Sequence, residues 1–182
     1  FSHGAKKRYV GKQIWPKESM LIRGYETRRT DSFSIQIEAL EDIFAKLMDR
    51  DIDNALEASK NWVTRVSEGD FDDKNFVISK TVNLKRKYVN EDNQAHLQAY
   101  KKFVETGRPF VSGMKISFIV TDASISPMKV EPYIPDEECP KPDYNYYADR
   151  IAKSLSRITD VFDWDEKALK KGKRAPKQQT LF

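Results

Sequence analysis

Lys6, Lys7, Arg8 and Tyr9 stand in one run, AKKRYVG at residues 5–11, and three cations beside a phenol ring are groups that suit a polyanion. In an extended segment alternate side chains point to opposite faces, so Lys6 and Arg8 share one face and Lys7 and Tyr9 the other. One face is then free to lie along phosphates while the other packs into the protein. MLIRGYETRRTD at 20–31 adds Arg23, Arg28 and Arg29. Residues 1–30 hold eight Lys and Arg against two Glu, which reads as a phosphate-facing surface. Composition alone favours a charged edge strand, whose lysines discourage aggregation, over any specific site.

Charge is segregated along the 182 residues, far beyond what the net +4 conveys. Residues 31–76 carry twelve acidic against five basic side chains, and 166–182 carry six basic against one acidic. Anion contact is therefore expected of the N-terminal strands, the region around residue 80 and the tail, with the acidic helices turned away. Hydrophobic residues at 39% and aromatics at 12% suffice for a core. A mean hydropathy of −0.70 and the lack of any apolar run near about 20 residues exclude a helical membrane span. The single Cys139 excludes an internal disulfide and suggests a reducing compartment. His3 and His96 alone cannot make a zinc-ligand cluster.

The elements that must position these groups follow from periodicity. Two N-terminal strands precede a helix capped by Asp31 or Ser32, with Ile37, Leu40, Ile43, Phe44, Leu47 and Met48 on its apolar face. A second helix from Asp53 carries Ala55, Leu56, Ser59, Trp62, Val63 and Val66, and the short link 49–52 makes the two antiparallel. Trp62 is expected to pack rather than to stack on a ligand. Residues 76–82 read as a strand, and Asn90–Asn93 lead into a helix with Leu97, Tyr100, Phe103 and Val104 inward and Gly107 as its stop. Lys115–Thr121 and Met128–Tyr133 form a hairpin. A last helix from Asp143 buries Tyr144, Tyr147, Ile151, Leu155, Ile158, Val161 and Phe162. The expected class is α+β, mainly helical, with short antiparallel strands.

Taken in order, AKKRYVG, IRGYETRRTD, FVISKTVNLKRKYVNEDNQAHLQAYKKFVETGRPFVSGMKISFIVTD (76–122) and PDYNYYADRIAKSLSRITDVFDW (142–164) resemble the end of the palm and the thumb of family B DNA polymerases, especially the archaeal replicative type. The resemblance implies palm-edge strands at 1–30, a thumb-like helical domain at 31–165 and a flexible basic tail at 166–182. It implies that Lys6, Lys7, Arg8 and Tyr9 lie along the minor groove near the primer terminus, and that Arg23, Arg28, Arg29 and Lys80 hold phosphates. Thr81 falls beside Lys80, where the family's thumb approaches the duplex backbone. For Lys85, Arg86 and Lys87, phosphate contact and an ordinary solvated loop stand level. His96 matches a histidine of the family pattern and is expected to be a hydrogen-bonded structural residue. Tyr146, off the apolar stripe, stays open.

The family's Asp-Thr-Asp motif, which supplies its catalytic pair, is not in this sequence. Phosphoryl transfer needs carboxylates that hold two metal ions. Asp70, Asp72 and Asp73 cluster, but Ser67-Glu68-Gly69-Asp70 is turn chemistry and favours a solvated loop. Asp136, Glu137 and Glu138 also read as a loop. No catalytic residue and no metal ligand is therefore assigned, and this polypeptide alone is expected to be inactive. Magnesium would belong to the assembled polymerase.

The tail, KALKKGKRAPKQQTLF, joins a basic stretch at 167–177, expected to be disordered, to Gln178-Gln179-Thr180-Leu181-Phe182. The latter resembles the core of a sliding-clamp-binding peptide, in which Leu181 and Phe182 seat in an apolar pocket and Gln178 hydrogen-bonds beside it. The chain opens on Phe1, as expected of a C-terminal fragment or of the small piece of a polymerase encoded in two parts. Expected partners are primer–template double-stranded DNA, a larger piece with exonuclease, fingers and catalytic palm, and a sliding clamp. The expected place is the cytoplasm, at the nucleoid. The alternative is a non-catalytic DNA-binding or clamp-tethering protein derived from a polymerase.

Overall fold

Among the described residues, period-two and period-3.6 patterns give two short antiparallel sheets and five α-helices, an α+β fold that is mainly helical. The computed structural model describes residues 9–13, 19–24 and 31–171. β1 (Tyr9–Gln13) and β2 (Ser19–Arg23) pair as an antiparallel hairpin. α1 (Ser34–Met48), α2 (Ile52–Ser67), α4 (Tyr144–Thr159) and α5 (Glu166–Lys171) pack on one another as a helical lobe. β3 (Ile78–Thr81), β4 (Lys115–Asp122) and β5 (Lys129–Pro132) form the second sheet, with α3 (Ala95–Glu105) laid against it.

Asp31 and Ser32 do not cap α1. Phe33 holds the cap position without a side-chain hydrogen bond, and its ring is buried edge-on to Tyr147 at 4.9 Å and stacked on Phe76 at 6.2 Å. A polar cap is worth about 1 kcal/mol, whereas burying a phenylalanine contributes about 1.5–3 kcal/mol, so the ring wins. The inward face of α1 is also turned from the expected stripe. Ile35, Gln36 and Ala39 are buried while Ile37 is half-buried, because Gln36 Nε2 donates to Ser154 Oγ of α4 at 2.6 Å.

α2 begins at Ile52 after Asp51, slightly earlier than expected, and buries Ala55, Leu56, Ser59, Val63 and Val66. Trp62 packs as expected. It stacks on Phe71 at 5.6 Å and donates from Nε1 to Asp42 Oδ2 at 2.8 Å, pinning α2 to α1. The turn after α2 requires Gly69, whose φ is +72°; a Cβ there would stand 2.6 Å from the Tyr144 ring.

The helical lobe and the sheet meet at Val120. β3 starts at Ile78, opposite Phe118, so no strand reaches Val120 on that edge of β4. Two groups of the α4 N-terminus take its place: Val120 N–H donates to Tyr147 Oη at 2.9 Å, and Asp143 N–H donates to the Val120 carbonyl at 2.9 Å. Asp143, where the last helix was expected to start, caps α4, accepting from Tyr146 N–H at 3.1 Å, while its other oxygen accepts from Ala123 N–H at 2.9 Å.

Three further expectations need correction. Val104 and Val161, placed inward by spacing, are 37% and 46% exposed. Both lie near helix ends, where the core has run out. Residues 166–171, assigned to a flexible tail, instead form α5, which buries Ala168 and Leu169 against α2 and α4. Residues 172–182 lie outside the described residues. Among the described residues no helix is long and apolar enough to cross a membrane.

Candidate nucleic-acid interface

The N-terminal hairpin is two-faced at the residues described. Val10 pairs with Ile22, and both are buried; Tyr9 pairs with Arg23, and both are exposed. Tyr9 and Arg23, two of the residues singled out by sequence, are thus cross-strand neighbours on an outward edge. Lys6, Lys7, Arg8, Arg28, Arg29, Gln178, Leu181 and Phe182 lie outside the described residues.

Lys80 and Thr81 are exposed at the end of β3, and the loop that follows is built rather than loose. Asn83 N–H donates to Tyr88 Oη at 3.0 Å, Lys85 N–H to Asn83 Oδ1 at 3.0 Å, and Leu84 N–H to Ser112 Oγ at 2.9 Å. The Arg86 guanidinium lies 5.7 Å from the centre of the Tyr88 ring, a cation–π interaction that fixes its direction. Lys80, Arg86, Lys87, Tyr88 and His96 wall a recess, and a second recess shares Lys80 and His96 and continues to Tyr146 and Arg150. A third runs on past Arg150 to Lys153 and Arg157. Together they form a cationic trough from the 83–89 loop to the outer face of α4.

The α4 wall was not foreseen. Arg150, Lys153 and Arg157 recur at spacings of three and four, so they share one helix face, while Ile151, Leu155 and Ile158 point into the core. The signal lay in DRIAKSLSR, beneath the stronger apolar stripe of the same helix. Arg150 is held: Nη2 donates to the Asp31 carbonyl at 2.9 Å, and its guanidinium lies 5.5 Å from the Phe33 ring centre and 5.9 Å from that of Tyr146. Tyr146, left open by the sequence, is half-buried and faces the trough beneath Arg150.

His96 departs from expectation. Only 3% of it is exposed, but its neighbour is the edge-on ring of Tyr88 at 5.6 Å, and it has no hydrogen-bond partner among the described residues. Burial, reinforced by the positive charge of Lys80, lowers its pKa to about 4. The ring is therefore neutral at pH 7, in a wall that it shares with Lys80, Arg86 and Lys87.

Four carboxylates of the two acidic clusters are committed elsewhere. Asp70 pairs with Arg65 Nε at 2.7 Å, and Asp72 accepts from Lys74 N–H at 3.0 Å. Asp73 accepts from the Tyr144 hydroxyl at 2.6 Å, which with burial raises that phenol to about 12. Glu137 pairs with Arg108. Among the described residues no three His, Cys, Asp or Glu side chains converge. These carboxylates do not fit a divalent-metal site.

A sequence model of DNA polymerase family B matches residues 4–162. Among solved structures, the chain is similar to the family B DNA polymerase from the hyperthermophilic archaeon Pyrobaculum calidifontis, with a TM-score of 0.65 and 20% identity over 87% of this chain and 21% of that one. At that identity the likeness concerns the fold. The chain spans about a fifth of that polymerase's length. No curated protein matches it.

Proposed function

The chain belongs to DNA polymerase family B, and from that membership we propose that it forms the palm edge and thumb of an archaeal-type enzyme, holding the primer–template duplex during template-directed synthesis in replication. The observation that carries the reading is the trough walled by Lys80, Arg86, Lys87, Arg150, Lys153 and Arg157. Phosphate contacts fix position without reading sequence, which suits an enzyme that must accept any template.

In this reading Lys6, Lys7, Arg8 and Tyr9 follow the minor groove near the primer terminus. Arg23, Arg28, Arg29 and Lys80 hold phosphates, and Gln178, Leu181 and Phe182 dock a sliding clamp. The catalytic aspartates come from another part of the protein or from a second polypeptide, of which this chain is the small companion. Divalent metal ions, magnesium by this proposal, and deoxynucleotides bind there, in the cytoplasm at the nucleoid. Asp70, Asp72, Asp73 and Glu137, engaged within the fold, agree with that division of labour. They agree equally with a non-catalytic duplex-binding or clamp-tethering protein.

The test is fluorescence anisotropy of a labelled primer–template duplex against the full chain over a range of salt. Affinity is expected to fall log-linearly with salt, and replacing Lys7 and Arg8 with Ala to weaken it and flatten the slope. An absence of duplex binding, or binding indifferent to salt, contradicts the proposal.

A further inference from the structure

We propose that the recess between the first turn of α1 and the outer face of α4 is a nucleotide site. It takes one nucleoside monophosphate, with the base at Gln36 and Tyr146 and the phosphate on Arg150 and Lys153. Its occupancy does not depend on whether the chain holds duplex DNA.

Gln36 is the observation that points to a ligand. Its side chain is 2% exposed and lines the recess. Nε2 donates to Ser154 Oγ at 2.6 Å, but Oε1 has no hydrogen-bond partner among the described residues. A buried amide oxygen left unpaired costs free energy until a donor reaches it. A DNA backbone phosphate cannot be that donor, because a phosphodiester offers only acceptors at neutral pH. The occupant therefore brings an N–H or O–H group as well as negative charge.

The call for negative charge comes from α4. Arg150 and Lys153 are three residues apart on the face that lines the recess. A guanidinium has five N–H groups, and the Asp31 carbonyl takes one of those of Arg150 at 2.9 Å. Lys153 is exposed. Arg157 and Asp31 complete the described lining, which leaves the balance cationic.

The call for a planar group comes from Tyr146. Its half-buried ring belongs to the same lining, with the Arg150 guanidinium 5.9 Å from its centre. Tyrosine rings and arginine planes are surfaces on which nucleobases stack. A sugar phosphate would leave them unused, whereas every nucleobase brings both a flat face and an N–H group. The recess holds about 350 Å³, at the small end of ligand pockets, which start near about 300 Å³. That size suits a mononucleotide rather than a strand.

Isothermal titration calorimetry of the full chain without DNA tests the site, with dAMP, deoxyadenosine and inorganic phosphate as probes. Deoxyadenosine and phosphate are each expected to bind about tenfold or more weakly than dAMP, since each keeps only part of the contacts. Lys153→Ala, at an exposed position, is expected to weaken dAMP about tenfold. Gln36→Leu is expected to weaken dAMP about three- to tenfold and to leave inorganic phosphate unchanged. Circular dichroism checks the fold of both variants. Should Gln36→Leu not fold, the Gln36 side-chain amide resonances of the unaltered chain report instead; they are expected to shift with dAMP and not with phosphate. dAMP bound no more tightly than inorganic phosphate overturns the proposal, because cations alone then account for it. Binding that neither substitution weakens also overturns it, as does an absence of dAMP binding. Each of these results leaves the duplex-holding reading standing, which the salt-dependent anisotropy tests by itself.

Discussion

The Tyr147 hydroxyl accepts a hydrogen bond from the Val120 N–H at 2.9 Å, and that buried bond fastens α4 to the central strand of the sheet. One wall of the cationic trough belongs to α4 and the other to the sheet side, so the same bond holds the two walls in register. Burial keeps the Tyr147 phenol well above its usual titration range, so it remains a hydroxyl at working pH.

Tyr147→Phe keeps the ring among Phe33 and Phe76 but leaves the Val120 N–H with no acceptor. An unsatisfied buried donor costs about 1–3 kcal/mol. Urea denaturation should show a decrease of that size with an unchanged slope, meaning a stability change without a change in compactness.

Stability should fall in mild acid because of His96. Folded, the ring has a pKa of about 4; unfolded, it titrates near its ordinary 6.5. Between those values the unfolded chain binds more protons, so folding is progressively penalised as pH drops from about 6.5 to about 4 and no further below. Above 6.5 the group contributes nothing. The full span is about 3 kcal/mol. Comparing the chain with His96→Gln by urea denaturation at pH 7 and pH 4.5 isolates the effect, and the variant should lose less stability on acidification.

Replacing Lys153 and Arg157 together with Ala removes two charges from the α4 wall of the trough. Duplex affinity should drop at low salt, and the slope of log affinity against log salt should shallow by about 0.9 for each phosphate that the variant no longer neutralises. Circular dichroism should be unchanged. An unaltered slope would place the duplex elsewhere.

The long amphipathic elements were legible in the sequence because their periods are strong: α1, α2 and α4 fall where spacing put them, and Asp143 caps α4 where the last helix was expected to start. Shorter-range logic failed where packing overruled it. Phe33 displaced a polar cap because its ring completes an aromatic cluster with Phe76 and Tyr147. α5 was hidden because six residues rich in lysine look like a tail until Ala168 and Leu169 find a surface to cover. The trough itself was half visible. Lys80 and the Lys85–Lys87 run stood out, but Arg150, Lys153 and Arg157 were dispersed through a helix whose apolar face gave the stronger signal. His96 was read as a hydrogen-bonded structural residue; it is buried without such a bond among the described residues, and its place on a cationic recess depends on Lys80 and Tyr88, brought beside it by the sheet and its loop.

The most direct measurement is primer extension in trans. The polypeptide carrying the family's catalytic aspartates, expressed without its own palm edge and thumb, is assayed with and without this chain in the presence of divalent metal. Holding the duplex over those aspartates predicts that adding the chain restores metal-dependent extension and lengthens the products. If the chain binds neither that polypeptide nor the duplex, and extension is the same in its presence and absence, the account is contradicted.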